Sequence, residues 1–544
     1  MRLPITIQDN LRFLLVEVTS QLKSLLNYFE TESPAVAHKL VNRSGYAYNL
    51  MLRIQNGCTL HISQHGFPDT MSLRAVSSIA GDLERLAELC RDCVHQLGYL
   101  REQHKLDLLV YVPLLKQVYK SLNLVEVALL SRDTELALKL GKTEHKLEKS
   151  YKKLLRKYTE KLKSKKHTDD LVTGLFIART IEQMGDILLN MSESIISSNI
   201  GQPMELQRFE SLQHVVKNWI NSAEIANLEI TSVAETRSGS GIKALNIIDQ
   251  NNDARFAIYK EGKKHKLKEE YEGVASWHRI YPGIAPEIFT YQKTGDSAAM
   301  LIEHLQGITF EQLLFQDDNK MQKAAIRRLQ KTLFAIWDET KTAQHTSAQF
   351  ISQIQKRIAE VFAIHPYFEQ QGSAICGYQK HSIEKLLKKA RKLEAQLIVP
   401  FHVYIHGDFN VDNVIYDPVN KHINFIDLHR SCFNDYLQDV SVFLVSNYRL
   451  QVLDKPVRTR ISNQCHLMYT LARSYANANN DKDFELRLTL GVARSFITST
   501  RFILDKELSK RMFFRGVYLL TNLVRLSGKQ RAQYRLPIEE LFGD

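Results

Sequence analysis

The hydrophobic period of this chain changes near residue 224, and that change limits what it can fold into. Before it, apolar residues recur at steps of three and four. Leu11, Leu14, Leu15, Val18, Leu22 and Leu25 open the first such stretch, and the pattern returns through 72–98, 106–140 and 171–196. That spacing keeps one face of an α-helix apolar over many turns. After it come three short β-branched segments, EITSVAE, ALNIID and ARFAIYK, with Gly239 and Gly241 between the first two. Such segments read as neighbouring strands joined by turns. Helical patterning resumes from about 309 to 396, a strand–loop–strand segment follows at 402–427, and 436 to about 530 is helical again. The order predicts a multidomain chain. We expect an all-α bundle over 1–200 and a helical connector over 201–223, with one helix from about Pro203 to Asn221. An α+β bilobal domain follows, its small sheet over 224–308 and its mostly helical lobe over 309–544.

Composition bounds the partners. With 544 residues, 44% hydrophobic and 24% charged, there is apolar material for several cores. A net charge of +12 favours anionic ligands such as phosphate esters, without pointing to a specific nucleic acid. Six scattered cysteines make no disulfide framework and suit a reducing cytoplasm. Cys90 and Cys93 form one C-x-x-C with no second pair at zinc-ribbon spacing. No run of eighteen apolar residues occurs, and the first ten residues lack a signal-peptide core, so no membrane span is expected.

The densest chemistry lies at Val403-Tyr404-Ile405-His406-Gly407-Asp408-Phe409-Asn410-Val411-Asp412-Asn413, followed by Ile423-Asn424-Phe425-Ile426-Asp427. Asp417-Pro418-Val419-Asn420-Lys421 is a turn between two apolar runs, which predicts a hairpin. The hairpin carries Asp408, Asn413 and Asp427 to one site. Those residue types suit phosphoryl transfer. A carboxylate, Asp408, orients a hydroxyl and takes its proton, while the hard oxygens of Asn413 and Asp427 hold magnesium against a triphosphate. His406 is placed to hold the loop by hydrogen bonding. There is no G-x-x-x-x-G-K-[ST] loop, no G-x-S-x-G and no H-E-x-x-H, which removes P-loop, serine-hydrolase and zincin readings.

This segment resembles the aminoglycoside phosphotransferase and choline kinase branch of the kinase-like fold, whose pattern is H-G-D-x-x-x-x-N and then I-D. The resemblance covers about 225–530. It implies ATP and Mg2+ as cofactors and a small-molecule hydroxyl as acceptor. It makes Asp408 the base, Asn413 and Asp427 the metal holders, and Asp439 in NDYLQDVSVFLV a support of the catalytic loop. Upstream it implies that Lys260 contacts the α and β phosphates and pairs with Glu270 at the start of a helix, Glu269 and Glu272 being the alternatives. Ser238-Gly239-Ser240-Gly241 would be the phosphate-covering turn, or a plain hairpin turn. Backbone groups near Glu303 and His304, in AMLIEHLQG, would meet adenine. Ile426-Asp427-Leu428-His429-Arg430 also resembles the corresponding piece of lipopolysaccharide-core sugar kinases; Arg430 reads otherwise as a surface or loop-stabilising residue, and no motif in 309–396 or 436–530 names the acceptor.

The helical half contains a repeat. Glu84, Glu88 and Asp92 in one segment match Glu182, Asp186 and Asn190 in another, 98 residues on. Side chains at i and i+4 share a helix face, and like charges there repel and invite a partner. IARTIEQMGDILLNMSESII resembles the second motif of the PhoU family of phosphate-signalling regulators, and the likeness spans about 5–200. It implies two three-helix repeats, a metal ion on one or both acidic rows, and a protein partner. Glu88, Asp92 and Asn42-Arg43 depart from the family's pattern. The bland reading of both rows is a solvated or hydrogen-bonded face. The basic run Lys142–Lys166 reads as a solvated helix face with Leu147, Tyr151, Leu154, Leu155, Tyr158 and Leu162 inward. Two functions remain open: an ATP- and Mg-dependent phosphotransferase with a regulatory module, or a nucleotide-sensing regulator without useful turnover.

Overall fold

The computed structural model describes residues 3–43, 45–65, 70–100, 106–217, 219, 228–235, 241–248, 254–343, 347–369, 373–375 and 378–543. They divide into two units. Met1–Arg237 with Gly241–Tyr259 forms the first, and Ser238–Ser240 with Lys260–Asp544 the second. In the first lie α1 (Ile5–Thr31), α2 (Pro34–Val41), α3 (Tyr46–His65), α4 (Thr70–Leu97), α5 (Val112–Leu122), α6 (Val125–Ser131), α7 (Thr134–Leu162), α8 (Thr168–Ile200) and α9 (Leu206–Lys217). α1, α3 and α4 pack on one another, α5, α7 and α8 do the same, and α4 lies against α8. A short helix, α2 or α6, follows the first helix of each triplet, so the sequence repeat is a repeat of architecture. The apolar rows explain it: Leu11, Leu14, Leu15, Val18, Leu22 and Leu25 of α1 are all buried. Of the predicted connector helix, α9 covers Leu206–Lys217; Asn218, Ile220 and Asn221 lie outside the described residues. On α7, Leu147, Leu154 and Tyr158 are buried as expected, but Leu155 is exposed.

The two acidic rows differ in their surroundings. On α4, Glu84 meets Arg91 at 3.8 Å and Glu88 pairs with Arg85. Arg91 also donates to Gln21 of α1, and Arg43 pairs with Glu17 at 3.1 Å. Arginines of α4 itself thus pair Glu84 and Glu88 on this face. On α8, Glu182 pairs with Arg179. Burial first, then carboxylate neighbours, raise the pKa values of Glu182, Asp186 and Glu144 of α7. Asn190 is engaged elsewhere: it hydrogen-bonds Asp82 of α4, whose carboxyl burial pushes up to about 7. Among the described residues no three His, Cys, Asp or Glu side chains gather as metal ligands. Arginine pairing on α4 and on Glu182, and the hydrogen bond of Asn190 to Asp82 of α4, are contacts these two rows make.

The strands β1 (Leu228–Glu235), β2 (Gly241–Ile248) and β3 (Ala254–Lys263) follow. β1 and β2 are antiparallel, Leu228 opposite Ile247 and Glu235 opposite Gly241. The division between units falls inside β3, after Tyr259. The second unit continues with α10 (Lys264–Ile280), β4 (Ile288–Thr294), β5 (Ser297–Glu303), β6 (Ile308–Thr309), α11 (Phe310–Phe315), α12 (Asn319–Thr340) and α13 (Phe350–Ile364). After these come β7 (Ser373–Ile375), β8 (Tyr378–Lys380), α14 (Ile383–Glu394), β9 (Val403–Ile405), β10 (Val414–Asp417), β11 (His422–Phe425), β12 (Cys432–Asn434), α15 (Leu437–Tyr448), α16 (Lys455–Ala478), α17 (Phe484–Ser499) and α18 (Lys506–Arg525). The sheet order is β1-β2-β3-β5-β4. Helix starts have local causes. Asp318, Asp454 and Asp505 cap α12, α16 and α18 by accepting backbone N–H groups, which satisfies donors a helix cannot use internally.

The β10–β11 hairpin forms as expected, Val414 opposite Phe425 and Asp417 opposite His422. Its turn is held by the Asp417 carboxylate, which accepts from the Val419 and Asn420 amides. The lobe below is apolar and aromatic, with Trp277, Phe310, Trp337, Phe409, Phe425 and Phe443 buried. Inside it, Arg487 of α17 bridges Asp435 and Asp481, and Tyr436 donates to Asp481 at 2.8 Å. Asp435 also accepts from the Leu437 amide at the start of α15, so this buried charge group fixes α15 to α17.

Two outcomes are expected. Arg487→Met leaves two buried carboxylates without their cation and destabilises the second unit by about 3–5 kcal/mol, read as an earlier chemical-denaturation transition of the full chain. Asp186→Asn acts through pH. A carboxyl whose folded pKa is raised stabilises below its unfolded value, and that stabilisation is lost as pH rises through the folded value. The variant's melting temperature should therefore gain on the native chain more at pH 7 than at pH 4.5; equal gains would contradict the raised pKa.

Candidate functional site

The candidate base stands on a loop pinned from below. β9 ends at Ile405, and the His406 and Gly407 amides donate to the two oxygens of Asp439, at 2.7 and 2.8 Å. Asp439 is buried in the first turn of α15. Burial pushes its carboxyl up to about 7, against the pull of those two amides. The His406 ring lies 2.9 Å from the Ile426 carbonyl through Nε2, and its other nitrogen faces the Asp408 amide at 3.3 Å. Burial, the largest influence on this ring, lowers its pKa and favours the neutral form. Phe409 is fully buried between Phe425 and Phe443. The loop is thereby anchored by one apolar side chain and one carboxylate, leaving Asp408 part-exposed.

Gly407 has φ +81°, and a Cβ there would lie 2.2 Å from the Arg430 carbonyl. Only glycine combines that backbone with that approach. The approach brings Arg430 beside the base: its guanidinium meets Asp408 Oδ2 at 2.9 Å, while Asn410 donates to Oδ1 at 3.0 Å. Arg430, read from sequence as a surface or loop residue, contacts the candidate base directly. Asn413 donates its amide to the Asp408 carbonyl at 2.9 Å, which fixes the side chain by its nitrogen and orients its oxygen. The Asn413 carbonyl accepts from Ile426, tying the two halves of the hairpin together just before Asp427.

Asp427 has φ +63°, a left-handed conformation rare outside glycine. Its Oδ1 is 3.1 Å from His429 Nδ1 and 3.4 Å from Lys260 Nζ. Burial raises the pKa of this carboxyl, but His429 and Lys260 lower it further, so it is held well below the usual carboxylate range. Lys260, 8% exposed, pairs with Glu270 at 2.5 Å. Burial pulls its pKa down; the two carboxylates more than offset this and keep it charged. Glu270 lies in the second turn of α10, not at its start. α10 reaches the site because Gly273 packs on the Leu428 carbonyl, 2.4 Å from where a Cβ would stand. A bulkier residue would lift Glu270 away from Lys260.

The structure brings together Lys260, Glu270 and Asp427 at one point, and His406, Asp408, Asn413 and Asp439 around the next turn of chain. At the end of β5, the Glu303 amide is taken by the Glu287 carbonyl at 2.8 Å, and its carboxylate accepts from the Glu287 amide. The Glu303 N–H therefore does not serve as an adenine donor, and His304 follows just beyond the strand. Ser238, Gly239 and Ser240 lie outside the described residues; Gly241 starts β2. Three groups were missed by sequence reasoning: Arg430, Asp82, and the arginines Arg357 and Arg494 near Asp408. None stands in a local motif. Only the adjacency of Arg430 to Asp427 gave any signal.

The Phosphotransferase enzyme family matches residues 270–473, and the PhoU domain matches 113–195. Over 207 residues the chain is 22% identical to the phosphate-specific transport system accessory protein PhoU of Serratia marcescens, covering 37% of this chain and 84% of that one. Among solved structures, it is similar to an aminoglycoside-3'-phosphotransferase of type VIII (17% identity, 52% of this chain, 96% of that chain, TM-score 0.34). It is also similar to the phosphate transport system regulatory protein PhoU from Streptococcus pneumoniae (14% identity, 37% and 96%, TM-score 0.35). The chain therefore joins a helical region that the PhoU domain matches to a region of helix and sheet that the Phosphotransferase enzyme family matches.

Proposed function

We propose that the second unit is an ATP- and Mg2+-dependent phosphotransferase acting on an alcohol group of a small molecule. The observation that carries this reading is the chain Glu270–Lys260–Asp427, with Asp408 and Asn413 on the adjoining loop. A lysine held charged by two carboxylates is suited to nucleotide phosphates. Asp427, kept ionised, and the oxygen of Asn413 fit magnesium, which needs only one or two protein oxygens beside phosphate and water. When bound, the cation neutralises charge on the phosphates.

Asp408 then orients the acceptor hydroxyl and takes its proton as the oxygen attacks the γ-phosphorus. The bond from that phosphorus to the β–γ bridging oxygen breaks, and ADP leaves with the electron pair. The acceptor gains the phosphoryl group. Asp439 and His406 hold the loop, so they act through Asp408 and not on the substrate. The PhoU-like region is the regulatory part in this reading, through a protein partner. The paired acidic rows give no support for metal there.

The tests separate binding from chemistry. Asp408→Asn should lower kcat by a factor of about 100 or more, the range expected for loss of a general base, with ATP affinity unchanged in equilibrium binding. Lys260→Met should weaken ATP binding at least tenfold, while Asp427→Asn should abolish the magnesium dependence of that binding. Turnover unaffected by Asp408→Asn would remove the catalytic reading. ATP binding without turnover in any acceptor pool, before and after that change, would favour a nucleotide sensor.

A further inference from the structure

Beside Asp408 lies a cavity of about 160 Å³ with an unusual lining. Five arginines face it: Arg357 of α13, Arg430 after β11, Arg449 at the end of α15, Arg494 of α17 and Arg501 just beyond α17. Asp408 is the only carboxylate among its described lining residues. Lys260, Asn413 and Asp427 do not line it, so it is separate from the residues assigned to nucleotide and metal.

These cations lack sufficient counter-charge. Arg494 is 5% exposed, and its Nε and one terminal nitrogen are buried without a hydrogen-bond partner. Its guanidinium lies over the Phe350 ring at 5.6 Å. Burial and then Arg357 push its pKa down to about 9. Arg357 and Arg501 are lowered in the same way, by burial and by neighbouring arginines. The facing acids are already engaged. Asp408 holds Arg430, Asp439 holds the loop amides, and Glu360, mostly exposed, meets Arg501 at 3.4 Å. Clustering guanidiniums and burying one with unmet donors is costly unless an anion completes the group. Planar guanidiniums are also the side chains best matched to phosphate and carboxylate.

We propose that this cavity is the acceptor subsite and receives a small alcohol carrying an anionic group, a phosphomonoester or a carboxylate. The proposal rests on the phosphotransferase reading for the fate of the hydroxyl, but not for the binding itself. The volume suits one small sugar or polyol and not an extended oligosaccharide. Arg357, Arg494 and Arg501 take the anion, and Ser495 and Thr498 supply neutral hydrogen bonds within the same lining. The entering anion also competes for Arg430. Drawn from Asp408, Arg430 leaves that carboxylate free to accept the hydroxyl proton. Transfer then proceeds as described above, and the product carries one more phosphoryl group than the acceptor.

The experiment uses the full chain. Phosphoryl transfer from ATP with magnesium is measured for a hexose, its 6-phosphate, its uronate and an aminoglycoside. Calorimetry without nucleotide uses inorganic phosphate, the hexose 6-phosphate and the hexuronate. An anionic acceptor should show kcat/KM at least tenfold above the neutral hexose, the better of the two naming the anion. Arg357→Gln and Arg494→Met should each raise its KM at least tenfold, with the ATP KM within twofold and the melting temperature not lowered. Arg357, being only half-buried, covers the case in which the Arg494 variant fails to fold.

Preference for the neutral hexose or the aminoglycoside, with acceptor KM unmoved by both variants, overturns the anionic subsite and leaves the kinase standing. Anion binding that both variants abolish, without turnover on any acceptor, supports the subsite and removes the kinase. Binding of none of the three anions overturns the proposal outright.

Discussion

The Asp439 carboxylate decides where the chemistry of the second unit can stand. By accepting the His406 and Gly407 amides it fastens the end of β9 to α15, and α15 is itself fastened to α17 through Asp435 and Arg487. The loop between is then too short to wander. Gly407 must turn with positive φ against the Arg430 carbonyl, and Asp408 emerges beside that residue's guanidinium. One buried acceptor thus sets the position of Asp408, and the same turn sets the charge beside it. Backbone amides without such an acceptor would be buried donors, each costing on the order of 1–3 kcal/mol.

Much of this was legible because it is local. H-G-D-x-x-x-x-N and I-D lie within one hairpin, where spacing and geometry are nearly the same thing. The turn Asp417–Lys421, the strand order around it and the shared location of Asp408, Asn413 and Asp427 all follow from residues within twenty-five positions. Legibility fell with distance. Glu270 was placed at a helix start, yet α10 begins earlier, at Lys264, since nothing between Lys264 and Glu270 breaks a helix. Nor does the sequence show which backbone group near Glu303 and His304 is spent within the sheet: the Glu303 N–H is taken by the Glu287 carbonyl, in a segment with no motif of its own.

The helical unit shows the same gradient. Its apolar rows fixed the two triplets of helices, because period alone determines which face is buried. The acidic rows were harder. On α4 the acidic row is paired by Arg85 and Arg91 of the same helix, and Arg91 also reaches Gln21 of α1, seventy residues earlier. On α8 Asn190 follows Glu182 and Asp186 at regular spacing, but each four-residue step advances a helix by 400°. Over two steps the third residue has rotated about 80° from the first, and Asn190 reaches Asp82 instead. Regular spacing therefore predicts a shared helix face better than it predicts what each side chain on that face contacts.

The arginines around Asp408 were invisible for a further reason. They come from five places in the chain between Arg357 and Arg501, and each alone resembles any surface arginine of a chain with net charge +12. Only their convergence is informative, and its sign argues against a purely structural origin. A fold seeking stability would pair Arg494 or replace it with an apolar side chain of similar volume, a change that is often neutral or favourable for buried ions. Instead Arg494 keeps two unmet donors and stands with four other guanidiniums along a cavity whose described lining includes one carboxylate, Asp408. Such an arrangement repels polycations and leaves the neutral face of an alcohol undistinguished. What it selects is negative charge, placed within reach of a base that an arginine already holds.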